Sequence, residues 1–325
     1  MSDIRSNGAI RDARGSRDDE ASLAATRILD LDSLPGIRRN TTLAPYTTWK
    51  IGGPADYFWE PTSALLPEVI RYCWQTNTPL HFLGRGSNVL IDDKGLRGLV
   101  VCTRRALLQI GHTPDTLVAE AGVPMPTLAK YAANLDFGGY EFLIGIPGTI
   151  GAGVAINAGL TAHGRTEISD VLVGADIVAP TGDVSTLSAD ELKLSYRHSG
   201  VFESRAYVLR ARFALREKAS SDAIRKRMAD HLAERKRKQP LAKATAGSTF
   251  KQPEGGKPAG WYIEQAGLKG FQIGGAKVSE KHANWIENEG TTTAVDVRNL
   301  MSHIQEVVSG KFGVWLKEEV RFLPL

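Results

Sequence analysis

Two glycine-rich stretches hold the residues most open to a chemical reading: LGRGSNVL at Leu83 to Leu90, and GIPGTIGAGVAINAG at Gly145 to Gly159. Such loops expose consecutive backbone N–H groups and permit the positive φ angles of an anion nest, a lining that suits a pyrophosphate. Neither is a P-loop, because no Gly-Lys-Ser/Thr follows, and Val89 stands where a Rossmann turn would carry its third glycine. Taken alone, each reads equally well as a structural turn. Two of them, separated by several strands, favour a dinucleotide held between subdomains.

The elements around these loops read as a mixed α and β chain. Ser63 to Asn77 has Leu66, Val69, Ile70 and Cys73 on one helical face, with Thr62 or Ser63 available as N-cap. A short strand, His81 to Leu83, leads into the first glycine loop. Strands are predicted at Gly98 to Cys102, Leu117 to Ala121, Val171 to Ala179 and Ala206 to Leu215, the last two lying either side of the turn signal Thr181 to Asp183. Helices are predicted at Pro126 to Asn134, Ser221 to Lys238 and Ala294 to Val308. In the last of these, Val297, Leu300, Met301, Ile304 and Val308 recur at helical spacing. The closing segment FGVWLKEEVRFL alternates, which puts Val314, Leu316, Val320 and Phe322 on one side of a strand. Trp315, Lys317, Glu319 and Arg321 take the other side. Residues 1–32, rich in Arg, Asp, Ser and Gly, are expected to stay mobile apart from a short helix around Ala21 to Leu29.

Composition narrows the function. With 325 residues the chain exceeds one small core, so two or three lobes are expected. No apolar run reaches bilayer length and the first residues lack a secretory core, so a soluble cytoplasmic protein without membrane insertion is expected. Cys73 and Cys102 sit in apolar runs, as buried thiols do, and the seven histidines form no ligand spacing, so no metal is expected. The segment Arg225 to Lys238 carries seven Lys/Arg against two acids. A solvated helix face, or a rim that attracts an anionic small molecule, accounts for it better than nucleic-acid binding, since no aromatic residues interleave the charges.

An ordered series of motifs is similar to one family, the UDP-N-acetylenolpyruvoylglucosamine reductases, also called UDP-N-acetylmuramate dehydrogenases. The series runs TTWKIGGPADYF, GRGSNVLIDD, EAGVP, GIPGTIGAGVAINAG, EISDV, SYRHS, AGSTFKQP, GLKG, GGAKVSEKHANWIEN and GVWLKEEVRF, and covers nearly everything from Asn40 to Phe322. The compact run from GSTFKQP to HANWIEN resembles the shorter, type II-like branch. Three departures stand out: the family's GGA reads Gly151-Ala152-Gly153, Leu160 to Arg165 looks inserted, and Gln252 replaces the common Asn.

The resemblance implies an α+β chain: a two-lobed FAD-binding fold of the vanillyl-alcohol-oxidase (PCMH) type plus a C-terminal α/β substrate-binding domain. The corresponding divisions are a flexible extension at 1–33, lobes at 34–103 and 104–216, and the substrate domain with its C-terminal catalytic strand at 217–325. It also implies non-covalent FAD, NADPH as co-substrate, a UDP-sugar substrate and a monomer. Candidate flavin contacts are Gly84, Arg85, Gly86, Ser87, Asn88 and Val89 in the first loop. In the second they are Gly145, Pro147, Gly148, Thr149, Gly151, Ala152, Gly153 and Asn157.

Reduction of an enolpyruvyl ether places a hydride on the terminal carbon and a proton on the carbon bearing the carboxylate. Charge builds on that carboxylate, so fixed positive charge and a proton donor are needed. By resemblance Arg197 of SYRHS is the electrophilic partner, Ser248 of AGSTF the general acid, and Glu319 the third active-site residue. Glu319 either polarises the carboxylate when protonated or orients Arg197 and water when ionised. Without the series, Arg197 would read as a surface arginine, Ser248 as a turn residue and Glu319 as an exposed strand-face carboxylate. Glu318, on the opposite face, is the control. Tyr196, Lys236, Lys251 and Gln252 are candidate substrate contacts, with Arg235 and Lys238 as further diphosphate partners.

Overall fold

The computed structural model describes residues 30–62, 64–160 and 166–324. The N-terminal stretch with its expected helix, Ser63 as a helix cap and most of the apparent insertion therefore lie outside the described residues.

The first lobe is a four-stranded sheet in the order β1 (Arg38–Thr42), β2 (Pro54–Trp59), β5 (Leu96–Cys102), β3 (Leu80–Leu83). β5 runs parallel to both neighbours and is covered on both faces, with Leu99 and Val101 in one core and Val100 and Cys102 in another. That two-sided burial is why LRGLVVC reads as an almost continuous apolar run. Against the sheet lies α1 (Leu66–Gln75), burying Leu66, Val69, Ile70 and Cys73 as expected. Its N-cap is Leu65, followed by a proline in the first turn. The helix thus starts later than the serine and threonine suggested, because Pro67 needs no N–H partner there. β4 (Val89–Ile91) leaves this sheet and pairs elsewhere.

The second lobe is an antiparallel sheet in the order β11 (Val184–Ser188), β10 (Leu172–Val178), β12 (Tyr207–Ala214), β7 (Thr116–Glu120), β6 (Ile110–His112). Packed with it are α2 (Met125–Asn134), a 3-10 helix at Glu141–Gly145, α3 (Ile150–Ala155) and the short α4 (Gly200–Glu203). A two-stranded ribbon, β8 (Gly159–Leu160) with β9 (Thr166–Glu167), flanks α3. The basic helix α5 (Ser221–Lys238) has the predicted bounds and is capped by Ser220, whose side chain accepts from the Ala223 amide. Ile224 and Met228 of α5 enter the core of this lobe, and Arg227 pairs with the nearly buried Glu141 at 2.6 Å. In packing, α5 therefore belongs with the second lobe, although the sequence division drew it into the third.

The third unit packs α6 (Ala259–Gln265) and α7 (Ala294–Phe312) on the small sheet β13 (Gln272–Ile273), β14 (Ala276–Val278), β15 (Ile286–Asn288). A capping box of Thr293 and Asp296 starts α7. Gly313, at φ 66°, ends it four residues beyond Val308, where the apolar spacing stopped. Trp49, Ile51 and Leu90 from the first lobe are part of this core. The Trp49 indole donates to the Ile286 carbonyl at 2.8 Å, and Asn288 returns a bond to the Trp49 carbonyl at 2.8 Å. The closing strand is shorter than its alternation implied: β16 (Arg321–Leu323) alone is regular, parallel to β4.

Two outcomes follow for stability and reactivity. Trp49→Ala removes a fully buried indole shared by two units and should cost ~3–5 kcal/mol, read by urea unfolding. Burial pushes the Cys73 thiol up to about 12 and the Cys102 thiol up to about 11. Thiolate is thereby suppressed at neutral pH, so iodoacetamide at pH about 8 should label neither until denaturant is added. Labelling of the native protein at either cysteine would contradict that burial.

Candidate active site

The two glycine stretches, far apart in sequence, meet in space. A Cβ on Gly84 would stand 2.7 Å from the Thr149 Oγ1, and one on Gly148 would stand 2.5 Å from Met125 Cε and 3.9 Å from Ser87 Oγ. Gly86 has φ +61°, and a Cβ there would lie 2.3 Å from the Tyr46 carbonyl oxygen. Only glycine accommodates both demands. The amides of Gly84, Arg85, Gly86, Ser87 and Asn88 donate to no protein acceptor among the described residues, which leaves a run of N–H groups for an anion.

The second stretch differs from the expected loop, since its middle is α3. The Ile150 and Gly151 amides already donate to the Val123 and Ala121 carbonyls. Gly153 is packed against Ile168 and Met125, so this glycine serves close packing. Pro147 and Ala152 are exposed, Gly145 lies under Arg235, and Thr149 is buried against Gly84. Asn157, at φ 45° and 1% exposed, is a brace: it donates to Glu167 Oε2 at 3.1 Å and to the Ser195 carbonyl at 3.2 Å, and accepts from the Ser169 amide at 3.0 Å.

Arg197 sits at φ 56° in the tight turn of SYRHS, where Ser195 and His198 bond to each other's backbone. Its Nε donates to Glu319 Oε1 at 2.5 Å, its NH2 donates to the Gly159 carbonyl at 3.1 Å, and its NH1 lies 3.8 Å from Glu167 Oε1. The side chains of Arg197 and Glu319 are 13% and 15% exposed, so their charges meet with little solvent between them. The Tyr196 ring lies 5.0 Å from the guanidinium carbon.

Glu319 is placed by its backbone. Its amide donates to the Thr249 carbonyl at 2.8 Å, its carbonyl accepts from the Asn88 side chain at 3.1 Å, and Phe250 bridges to Glu318 in antiparallel sense. Ser248 precedes this pairing by one residue, is half-buried, and its hydroxyl has no bonding partner among the described residues. Arg197, Ser248 and Glu319, from three separate motifs, are thus drawn to one place beside the first glycine loop. Glu318 turns away and accepts from Gln305 on α7 at 2.8 Å.

Lys251 belongs to the same cluster. Burial, and next the Arg321 guanidinium, lower its ammonium below the usual lysine range, while Glu319 opposes them. Gln252 is exposed and donates to the Gly256 carbonyl in its own turn. Lys236 is exposed, and its carbonyl accepts from Lys281. Arg235 instead lies against Gly145, with burial lowering its guanidinium. Arg321, whose guanidinium lies 4.4 Å from the Phe202 ring centre, and Glu167 were not singled out as site residues. Alternation already put Arg321 on the face of Glu319, and EISDV already held Glu167.

Comparison with known proteins identifies this architecture. Residues 56–188 match the family described as FAD binding domain, which makes the chain a flavoprotein of that class. The first loop fits such a group, offering consecutive undonated amides around a glycine that no Cβ can replace. Residues 239–323 match the family described as UDP-N-acetylenolpyruvoylglucosamine reductase, C-terminal domain. A reductase of that name from Agathobacter rectalis is 41% identical over 300 residues, covering 89% of this chain and 94% of that one. One from Listeria welshimeri is 42% identical over 289 residues, covering 88% and 95%. The crystal structure of UDP-N-acetylenolpyruvylglucosamine reductase from Thermus caldophilus superposes with a TM-score of 0.75 at 32% identity, covering 89% of this chain and 99% of that one. The chain belongs to the UDP-N-acetylenolpyruvoylglucosamine reductase family. The expected α+β, two-lobed FAD-binding fold with a C-terminal domain agrees with these matches.

A direct consequence concerns Gly86. Gly86→Ala forces a Cβ into a left-handed turn against backbone, which costs roughly 1–2 kcal/mol before the clash is counted. FAD affinity of the apoprotein, titrated by quenching of flavin fluorescence, should fall at least about tenfold. Unchanged affinity would remove this loop from the flavin site.

Proposed function

We propose that this chain catalyses the NADPH-dependent reduction of UDP-N-acetylglucosamine enolpyruvate to UDP-N-acetylmuramate, a step of peptidoglycan precursor synthesis, acting as a cytoplasmic monomer. The single observation that carries the reading is the short ion pair of Arg197 with Glu319, set beside the Ser248 segment and the first glycine loop. When bound, FAD supplies a flavin N5 that accepts a hydride from NADPH and delivers it to the substrate.

The protein's own groups divide the remaining work. Arg197 presents a permanent charge to the carboxylate of the substrate, where negative charge grows during hydride addition. Glu319, held on Arg197 Nε, fixes the plane of the guanidinium, which supports the orienting role over the polarising one. Ser248 gives its hydroxyl proton to the carbon bearing the carboxylate, and its lack of a competing partner leaves that proton available. Lys251 and Arg321 add positive charge for the acidic groups of a UDP-sugar, and Arg235 does so above Gly145. Tyr196, Lys236 and Gln252 line the approach, and Gly84, Gly86 and Gly148, where the two stretches meet, border the flavin. The divisions at 34–103, 104–216 and 217–325 serve as functional regions, with α5 fastened to the second.

A nucleic-acid-binding role for α5 is disfavoured by how four of its seven cations are engaged. Arg225 bonds Asn134 and Ser221, Arg227 bonds Glu141, Arg235 bonds Gln239 and Lys238 bonds Glu234. Such side chains lie along the protein rather than toward a phosphate backbone.

The test is anaerobic stopped-flow absorbance of the FAD-loaded enzyme. NADPH should bleach the flavin band of Ser248→Ala within about twofold of the wild-type rate, whereas recovery on adding the enolpyruvyl substrate should slow by roughly 10²–10⁴-fold. Equal loss in both steps would make Ser248 a flavin-positioning residue. Wild-type enzyme that bleaches but fails to recover would refute the substrate assignment.

A further inference from the structure

The segment carrying Ser248 is gripped from one side by a single buried asparagine. Asn284, 6% exposed, makes three bonds to the two residues that follow the serine. Its carbonyl accepts from the Thr249 amide at 2.8 Å, its Oδ1 accepts from the Phe250 amide at 3.0 Å, and its Nδ2 donates to the Phe250 carbonyl at 2.8 Å. The Thr249 hydroxyl, fully enclosed, bonds to nothing among the described residues and so contributes no competing restraint. On the other side of the same two residues, the Thr249 carbonyl holds the Glu319 amide and Phe250 bridges to Glu318. Asn284 is itself anchored, with its backbone N–H donating to His282 Nδ1 at 3.3 Å.

We propose that Asn284 is a positioning residue for the proton-transfer step, setting the Ser248 hydroxyl and the Glu319 backbone in register through one side-chain amide. The inference rests on the function proposed above. A side-chain amide carries a donor and an acceptor on one rigid plane, so it accepts from Phe250 N–H and donates to Phe250 C=O at once. Loss of that pairing lets the serine shift, and displacement by about 1 Å can cost about 10²-fold in rate.

The test uses the FAD-loaded enzyme and separates its two half-reactions. Asn284→Ala should reduce with NADPH within about twofold of wild type and reoxidise with UDP-N-acetylglucosamine enolpyruvate ~10–100-fold more slowly. Asn284→Asp supplies a second, better-packed variant with its own signature. Ionised, its carboxylate repels the Phe250 carbonyl; protonated, it restores the donor. Burial raises the pKa of such a carboxyl, so its reoxidation rate should recover as pH falls, a dependence that wild type and Asn284→Ala lack. Equal loss in both half-reactions, or wild-type reoxidation in either variant at neutral pH, would overturn the proposal. If Ser248→Ala itself reoxidises at the wild-type rate, the assignment of Ser248 fails instead, which keeps the two readings apart.

Discussion

The site depends on one junction, formed where Asn88 at the end of the first glycine loop meets the last segment of the chain. The Asn88 side chain donates to the Glu319 carbonyl at 3.1 Å and its own carbonyl accepts from the Arg321 amide at 3.0 Å, across 231 residues of sequence for the first bond. Each bond is worth only about 1 kcal/mol on its own. Their precision comes from what lies on either side, because β4 and β16 continue the pairing and insert residues into opposite units. Leu90 is buried in the core of the third unit, and Leu323 returns to the core of the first. Shifting Glu319 relative to the loop would therefore require both cores to repack, and close-packed interiors resist that.

This junction is reinforced by contacts that make the third unit continuous with the first lobe. Trp49 and Ile51 sit in its core, and Asp93 accepts from the Ala294 and Val295 amides at the start of α7. The TTWKIGGPADYF and GRGSNVLIDD motifs thus have a double function. One part of each shapes the glycine cradle, and another part fastens the domain that carries Ser248 and Glu319. Arg197 arrives from the second lobe on a turn in left-handed conformation, braced through Asn157 and Glu167. The first lobe therefore supplies the glycine cradle, the second Arg197, and the third both Ser248 and Glu319, in an arrangement fixed by backbone hydrogen bonds more than by side-chain reach. Preorganisation of that kind favours charge stabilisation, since little rearrangement accompanies the reaction.

Local signals were legible where local physics decides. The bounds of α5 and the buried face of α1 follow from capping and apolar spacing, and both agree with the structure. What escaped is what depends on distant partners. The second glycine stretch contains α3 because Val123 and Ala121 offer carbonyls to its first amides, and no sequence window shows that. Asn157 looked like a ligand residue, yet its polar atoms are taken up by Glu167, Ser195 and Ser169. The closing strand alternates over its whole length, but a regular ladder forms only at Arg321–Leu323, and the residues around Glu318 meet the Phe250 segment in an isolated bridge. Alternation reports which side is buried, and pairing requires a neighbour. The candidates Arg197, Ser248 and Glu319 rest on an ordered series of motifs, since each alone has a commoner explanation on a protein surface.

The charge arrangement around Arg197 explains how a site can already be ion-paired and still receive an anion. Its Nε is committed to Glu319 and one terminal nitrogen to the Gly159 carbonyl, while the other lies at 3.8 Å from Glu167, beyond hydrogen-bonding distance. The guanidinium retains N–H groups that no acceptor at close range occupies, so an added carboxylate can bond without expelling Glu319. Two carboxylates beside one arginine would repel such a guest if they stood alone. Lys251 and Arg321 reverse that balance; burial lowers the pKa of each, and for Lys251 the neighbouring Arg321 charge adds to it. A lysine held in this way gains from an incoming anion, which restores a partner to a charge that burial has penalised. The cluster is thus poised to bind negative charge, and the two glutamates confine that attraction to the open side of the guanidinium.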